Sequence, residues 1–194
     1  MTPVLDLAAV GLDAAVDAAC EALARPGAVV LVPTETVYGL VCRADDAAAC
    51  QRIYDLKDRD ATKPLGWFVA EWRRLADCGV LLEGLPAELA VKHCPGPITI
   101  IAPLRNGGTV GFRVPDHPFM LALLRRMNCP LAQTSANHSG HPNALTVQAA
   151  LAELSGELPL AVDGGPIAPD ALASTVVDAT GAAPKVLRQG ALRI

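Results

Sequence analysis

Lys57, Arg59 and Lys63 crowd three cations into seven residues of a chain that has only four lysines, just before Pro64. Arginine offers a planar fork to phosphate or carboxylate and lysine a compact point charge, so the cluster reads as an anion site. The same cations at a helix end would also complement its dipole. Arg113, within Gly111-Phe112-Arg113-Val114-Pro115, is a cation inside an apolar strand. An unpaired buried charge is costly, so Arg113 needs either an aspartate of the fold or a carboxylate ligand. Neutral donors and acceptors accompany these charges. Thr34-Glu35-Thr36-Val37-Tyr38-Gly39-Leu40 follows one buried strand and Gln133-Thr134-Ser135-Ala136-Asn137-His138-Ser139-Gly140 another, where α/β proteins commonly build sites. Either segment also reads as a capped or Ser/Asx turn. Ser174-Thr175 and Arg188 are late polar positions at strand ends. Read as residues, the set describes an anion-binding α/β domain suited to a nucleotide.

Other chemistries lack their residues. The sequence has no G-x-x-x-x-G-K-[ST], no G-x-S-x-G, no H-E-x-x-H and no C-x-x-C, and Gly107-Gly108-Thr109-Val110-Gly111 only echoes a dinucleotide fingerprint. His138 and His141 lie three apart in loop-forming sequence with no Cys or carboxylate close by to complete a metal site, so no metal cluster is expected. The six cysteines are scattered and read as small buried hydrophobes. The chain has 194 residues, is 52% hydrophobic and 19% charged, and carries a formal charge of −4. That balance excludes intrinsic disorder and a basic coat for nucleic acid, though not a local cationic groove. No apolar run reaches the length of a membrane span, and Met1 to Val10 lacks a basic cluster, so a cytoplasmic protein is expected.

Several elements must position these groups. Helical spacing runs from Leu12 to Ala24 and stops at Arg25-Pro26-Gly27; the apolar run from Ala28 to Pro33 reads as a buried strand. A helix opening at Asp45 or Asp46 turns Ile53 and Leu56 inward, and Leu65–Ala70 reads as strand. Pro86 and Pro118 sit where first-turn prolines begin helices. Strands are expected at 98–101, 109–114, 131–134, 158–162, 174–178 and 185–187, with Thr146 capping a helix through Leu154. Two strand pairs without a helix between them imply a twisted, open, mixed sheet with helices packed on it, in a single domain over 1–194.

The motifs also resemble, in order, those of the YrdC-like family. They are Thr34–Leu40, Lys57-x-Arg59 with Lys63-Pro64-Leu65, Pro95-Gly96-Pro97-Ile98-Thr99, Arg113-Val114-Pro115 with His117-Pro118, Ser135–Gly140, Asp163-Gly164-Gly165, Ser174–Asp178 and Leu187-Arg188-Gln189-Gly190. The resemblance spans about Ala28 to Gly190, at the length of the family's short form. It implies an open sheet around a concave cationic site and an L-threonylcarbamoyladenylate synthase activity. Such enzymes condense L-threonine, bicarbonate and ATP into threonylcarbamoyl-AMP and pyrophosphate. Partner proteins then transfer the group to adenosine 37 of tRNA. By the same resemblance, Thr36, Arg113 and Ser174 would hold threonine. Arg59, Lys63, Thr109, Ser135, Asn137 and Arg188 would hold ATP, and Lys57 would face the phosphates in a catalytic role beside Arg59. Mg²⁺ would arrive with ATP, without a dedicated protein cage.

The sequence departs from the family pattern at Asp60, where proline is common, at Cys94, where an aromatic is common, and at Phe68, where some members have histidine. It keeps the K-x-R and S-x-N motifs that a paralogous branch loses. Two other readings of the same fold compete: a carbamoyl-handling enzyme, and a non-catalytic RNA-binding module. Net charge −4 and 4% aromatics speak against the second as the main activity and allow only weak direct RNA contact.

Overall fold

The computed structural model describes residues 1–60, 62–138 and 140–194; Ala61 and Ser139, which belong to two of the polar clusters, lie outside the described residues. In chain order the strands are β1 Val4–Asp6, β2 Val30–Val32, β3 Gly39–Arg43, β4 Gly66–Phe68, β5 Ile98–Pro103, β6 Thr109–Arg113, β7 Leu131–Ser135, β8 Leu160–Asp163, β9 Thr175–Asp178 and β10 Lys185–Arg188. The helices are α1 Leu7–Val10, α2 Leu12–Leu23, α3 Ala47–Lys57, α4 Leu85–His93, α5 Pro118–Met127 and α6 Val147–Ala152, with a 3-10 helix at Trp72–Cys78. All the strands join one open sheet in the order β1-β8-β2-β3-β7-β4-β6-β5-β9-β10, with parallel and antiparallel neighbours mixed.

Local chemistry accounts for most boundaries. Asp46 caps α3 by accepting from the Ala49 amide at 2.9 Å, and Thr146 caps α6 from Ala149 at 3.1 Å. Pro118 opens α5 and Pro86 stands in the first turn of α4. Four elements were not expected: β1, α1, β3 and the 3-10 helix at Trp72–Cys78. β1 and α1 are too short to show a period, and β3 directly follows a polar cluster that reads as loop.

Strand alternation sorts the side chains between faces. In β2 and β3, Val30, Val32 and Val41 pack with Leu23 of α2 and Phe119 of α5 on one face. Leu31, Leu40 and Cys42 pack with Ile53 of α3 and Ala150 of α6 on the other. In the second half of the sheet, Ile98 and Ile100 of β5, Phe112 of β6 and Val177 of β9 bury one face against α4 and the 3-10 helix. The alternate residues, Thr99 and Ile101 of β5, Thr109, Gly111 and Arg113 of β6, and Val176 of β9, face an open concavity. Among the described residues, no helix is long and apolar enough to cross a membrane.

Candidate functional site

That concavity has a volume of about 320 Å³, within the range of small-molecule sites. Its floor is β4, β5, β6 and β9, and its walls are the turn before β3, the end of β7 and the end of β10. Of the expected site residues it brings together Thr36, Arg59, Thr109, Arg113, Ser135, Ser174 and Arg188. Thr34, Thr99, Gln133 and Thr134 also line it; Thr99 ends the Pro95–Thr99 motif of the resemblance but carried no expected site role.

Each polar group is held from behind. Thr34 Oγ1 accepts from the amides of Thr36 and Val37, both at 3.1 Å, and lies 3.0 Å from Thr36 Oγ1, so the wall is a built turn. Tyr38 is a core residue whose hydroxyl donates to Gly165 O at 2.7 Å and accepts from the Gly164 amide at 3.0 Å. Burial pushes this phenol up to about 12. Gly66 of β4 leaves room for a neighbour, since a Cβ there would lie 2.6 Å from Gln133 Nε2.

Three arginines supply the charge. Arg113, 4% exposed, donates from Nε to Gly96 O at 3.2 Å and from NH2 to Thr36 Oγ1 at 3.0 Å. The partner that its burial demands is Glu35, whose Oε1 lies 2.6 Å from NH2. Arg59, at the end of α3, donates to Lys63 O at 3.3 Å and Pro64 O at 3.4 Å. Arg188 donates to Ser174 O from both Nε (3.1 Å) and NH2 (2.8 Å), while Ser174 Oγ lies 2.9 Å from Thr99 Oγ1. Desolvation lowers the pKa values of Arg59 and Arg188, and for Arg188 the charge of Arg113 adds to the effect.

Lys57, Lys63 and Asn137 are not among the lining residues. Lys57 is 1% exposed and donates to Thr134 Oγ1 at 3.1 Å and to the Ser135 carbonyl, so it does not face the cavity as the sequence reading expected. The signal was present in the pattern. Ala49, Ile53, Leu56 and Lys57 form the inward stripe of α3, and the lysine sits four residues after Ile53. Lys63 is exposed. Asn137 is buried and donates to His141 O at 2.7 Å and His138 O at 3.2 Å, which shapes the turn after β7. Glu153 ties the same turn to α6, accepting from the His138 amide at 3.1 Å and lying 2.9 Å from His141 Nδ1.

Burial, and then the charge of Arg59, depress Lys57 from 10.5 to about 7. The folded chain therefore disfavours a proton that the unfolded chain keeps. That cost is complete below pH 7 and is relieved as pH rises from about 7 toward 10.5. Lys57→Met should remove this slope, worth up to about 1.4 kcal/mol per pH unit for one proton. Thermal melting of wild type and variant across that range checks it through their difference, which cancels the other groups titrating there.

Fold and cavity define an open-sheet α/β protein whose bare sheet face carries a pocket lined by three arginines. A family model described as telomere recombination, that of the Sua5/YciO/YrdC proteins, matches residues 22–190, and the chain belongs to this family. The threonylcarbamoyl-AMP synthase of Mus musculus is 42% identical over 172 residues, which cover 79% of this chain and 59% of that protein. The chain thus spans about three-fifths of that relative's length. Among solved structures, P. abyssi Sua5 complexed with L-threonine is similar with a TM-score of 0.83 and 32% identity, covering 97% of this chain and 58% of the other. E. coli YciO shares the fold, with a TM-score of 0.81 at 22% identity, covering 98% of this chain and 96% of its own.

Proposed function

We propose that this chain condenses L-threonine, bicarbonate and ATP into threonylcarbamoyl-AMP and pyrophosphate, as a nucleotidyltransferase serving tRNA threonylcarbamoylation. The observation that carries the reading is the arrangement of one pocket. Arg113 with Thr36 forms one wall, Arg59 and Arg188 stand on others, and the neutral donors Thr99, Thr109, Ser135 and Ser174 lie between them. Arg113 and Thr36 suit an amino-acid carboxylate, and the other two arginines suit a triphosphate. The likeness to a threonine-bound structure and to a protein named threonylcarbamoyl-AMP synthase supports the same assignment.

The chemistry asks little covalent work of the protein. Threonine's neutral amine adds to bicarbonate and loses water to give a carbamate. A carbamate oxygen then attacks the α-phosphorus of ATP, forming a mixed anhydride while pyrophosphate leaves with the electron pair. Holding the three reactants in one pocket replaces encounters in solution, an effect worth up to about 7–11 kcal/mol. Arg59 and Arg188 would offset the charge that grows on the departing pyrophosphate. Mg²⁺ fits as a passenger on ATP. The described lining residues include no carboxylate, so the chain offers hydroxyls and arginines where a resident metal would need acidic ligands. When bound, the ion would neutralise phosphate charge.

Pyrophosphate release tests the reading. It should require both threonine and bicarbonate, and Arg59→Ala should reduce it by roughly 10²-fold or more, in line with loss of a charge-assisted contact. Release that is indifferent to threonine would overturn it. The product would pass to proteins that act on tRNA, acting in the cytoplasm.

A further inference from the structure

Glu35 stands out because its burial has no ordinary explanation. Among the described residues, neither enclosed carboxylate oxygen has a hydrogen-bond donor, although Oε1 lies 2.6 Å from Arg113 NH2. The contact is a charge pair, and the same NH2 donates to Thr36 Oγ1. His117 is close enough to feel the charge of Glu35, yet its buried Nδ1 has no partner either. Glu35 is not among the residues that line the pocket, whereas Arg113 is. The carboxylate therefore stands behind the arginine, unable to reach a ligand itself.

The three pocket arginines differ in this respect. Among the described residues, Arg59 and Arg188 donate to neutral oxygens and make no direct ion pair, although the charge of Asp60 reaches Arg59, whereas Arg113 is in contact with a carboxylate. Arg188 also lies near enough to Arg113 to sense its charge. Without Glu35 those two guanidiniums would make a two-cation clamp, the arrangement that favours phosphate. With Glu35 in place, the charge of Arg113 is opposed at 2.6 Å, which weakens the field that it presents to a ligand.

We propose that Glu35 is a positioning and specificity residue that makes the Arg113 end of the pocket a site for a monoanionic carboxylate and keeps phosphate dianions out of it. This rests on the reading that an amino-acid carboxylate binds at Arg113. A monoanion can still accept from Arg113 NH1, since the bonds to Gly96 and Thr36 engage Nε and NH2. A dianion would pay to desolvate a second charge and gain nothing from a pair that is already neutral.

Charge can be varied at fixed shape. The sulfonic and phosphonic acid analogues of threonine are both tetrahedral, but at pH 8 the first is a monoanion and the second a dianion. Titration calorimetry on wild type should show threonine binding, and the sulfonate bound at least about tenfold more tightly than the phosphonate, a gap of one charge interaction of ordinary size. Glu35→Gln should close most of that gap, and Glu35→Asp should preserve it. The wild-type comparison stands even where a variant fails to fold. Equal binding of the two analogues by wild type, or an undiminished gap in Glu35→Gln, would overturn the proposal while leaving the carboxylate site intact. Failure of threonine itself to bind would overturn the underlying reading and this inference with it.

Discussion

Arg113→Ala is expected to lose threonine-dependent turnover and to destabilise the fold at the same time. Removing a buried, charge-assisted partner of a carboxylate costs about 2–5 kcal/mol, or roughly 30- to 5,000-fold in kcat/KM for threonine. The loss should fall on threonine far more than on ATP, because Arg113 with Thr36 is the pair proposed for the amino-acid carboxylate, and Arg59 and Arg188 are the cations proposed for the triphosphate. Stability suffers because Glu35 would be left as an unpaired charge. Breaking one side of a buried pair typically costs about 3–5 kcal/mol. The two effects separate in a second variant. Glu35→Gln combined with Arg113→Ala should recover much of the lost stability, since no charge is stranded, and none of the activity. Denaturant midpoints and steady-state kinetics on the same preparations check both halves. A double variant as unstable as Arg113→Ala would mean that the pair is not what holds this wall.

The arginine illustrates how far the sequence carries. A charge inside an apolar strand declares a need for a partner, and that much was legible. Its partner was expected to be an aspartate or a ligand, and it is Glu35, which is 78 positions away in sequence. No local spacing connects them. The link comes from sheet order, which sets β6 beside β4 and brings the turn before β3 across the same face. Thr36, Arg59, Ser174 and Arg188 were placed in one pocket by the resemblance of motifs, because their types and order survive without knowledge of the pairing. Lys57 carries two signals. Its charge next to Arg59 points to an anion, whereas the helical period of α3 assigns it to the buried face, where it reaches Thr134 and Ser135 of the pocket wall from behind. β3 escaped because Gly39 interrupts its apolar run just where a polar turn ends, so the composition around it reads as loop.

A second large effect is expected from Gly190→Ala, which touches no ligand. Gly190 lies against the Ala173–Ser174 segment that leads into β9: a Cβ there would overlap the Ala173 carbonyl and lie 2.5 Å from the Ser174 carbonyl carbon. Both obstacles are backbone, so no rotamer change relieves them. Overpacking of this kind costs about 1–3 kcal/mol and sometimes more. The functional loss should exceed the loss of stability. The same displaced carbonyl of Ser174 accepts both bonds from Arg188, and Ser174 Oγ contacts Thr99, so one shift disturbs an arginine and two hydroxyls of the pocket together. The expected signature is a raised KM for ATP in protein that still melts cooperatively. A KM unchanged at lowered stability would show that Arg188 is positioned by something other than Ser174.

Among the described residues, those that line the pocket include no cysteine, histidine or carboxylate, which suits the proposed reaction, whose nucleophile is made by the substrates themselves. The central claim is that threonine and ATP meet in that one pocket and are joined through a carbon drawn from bicarbonate. Mass spectrometry of the reaction with ¹³C-bicarbonate tests it most directly. The account predicts an adenylate containing threonine and the labelled carbon, formed in step with pyrophosphate and absent with Arg113→Ala. An adenylate without the label, or pyrophosphate released with no threonine-bearing adenylate, would contradict it.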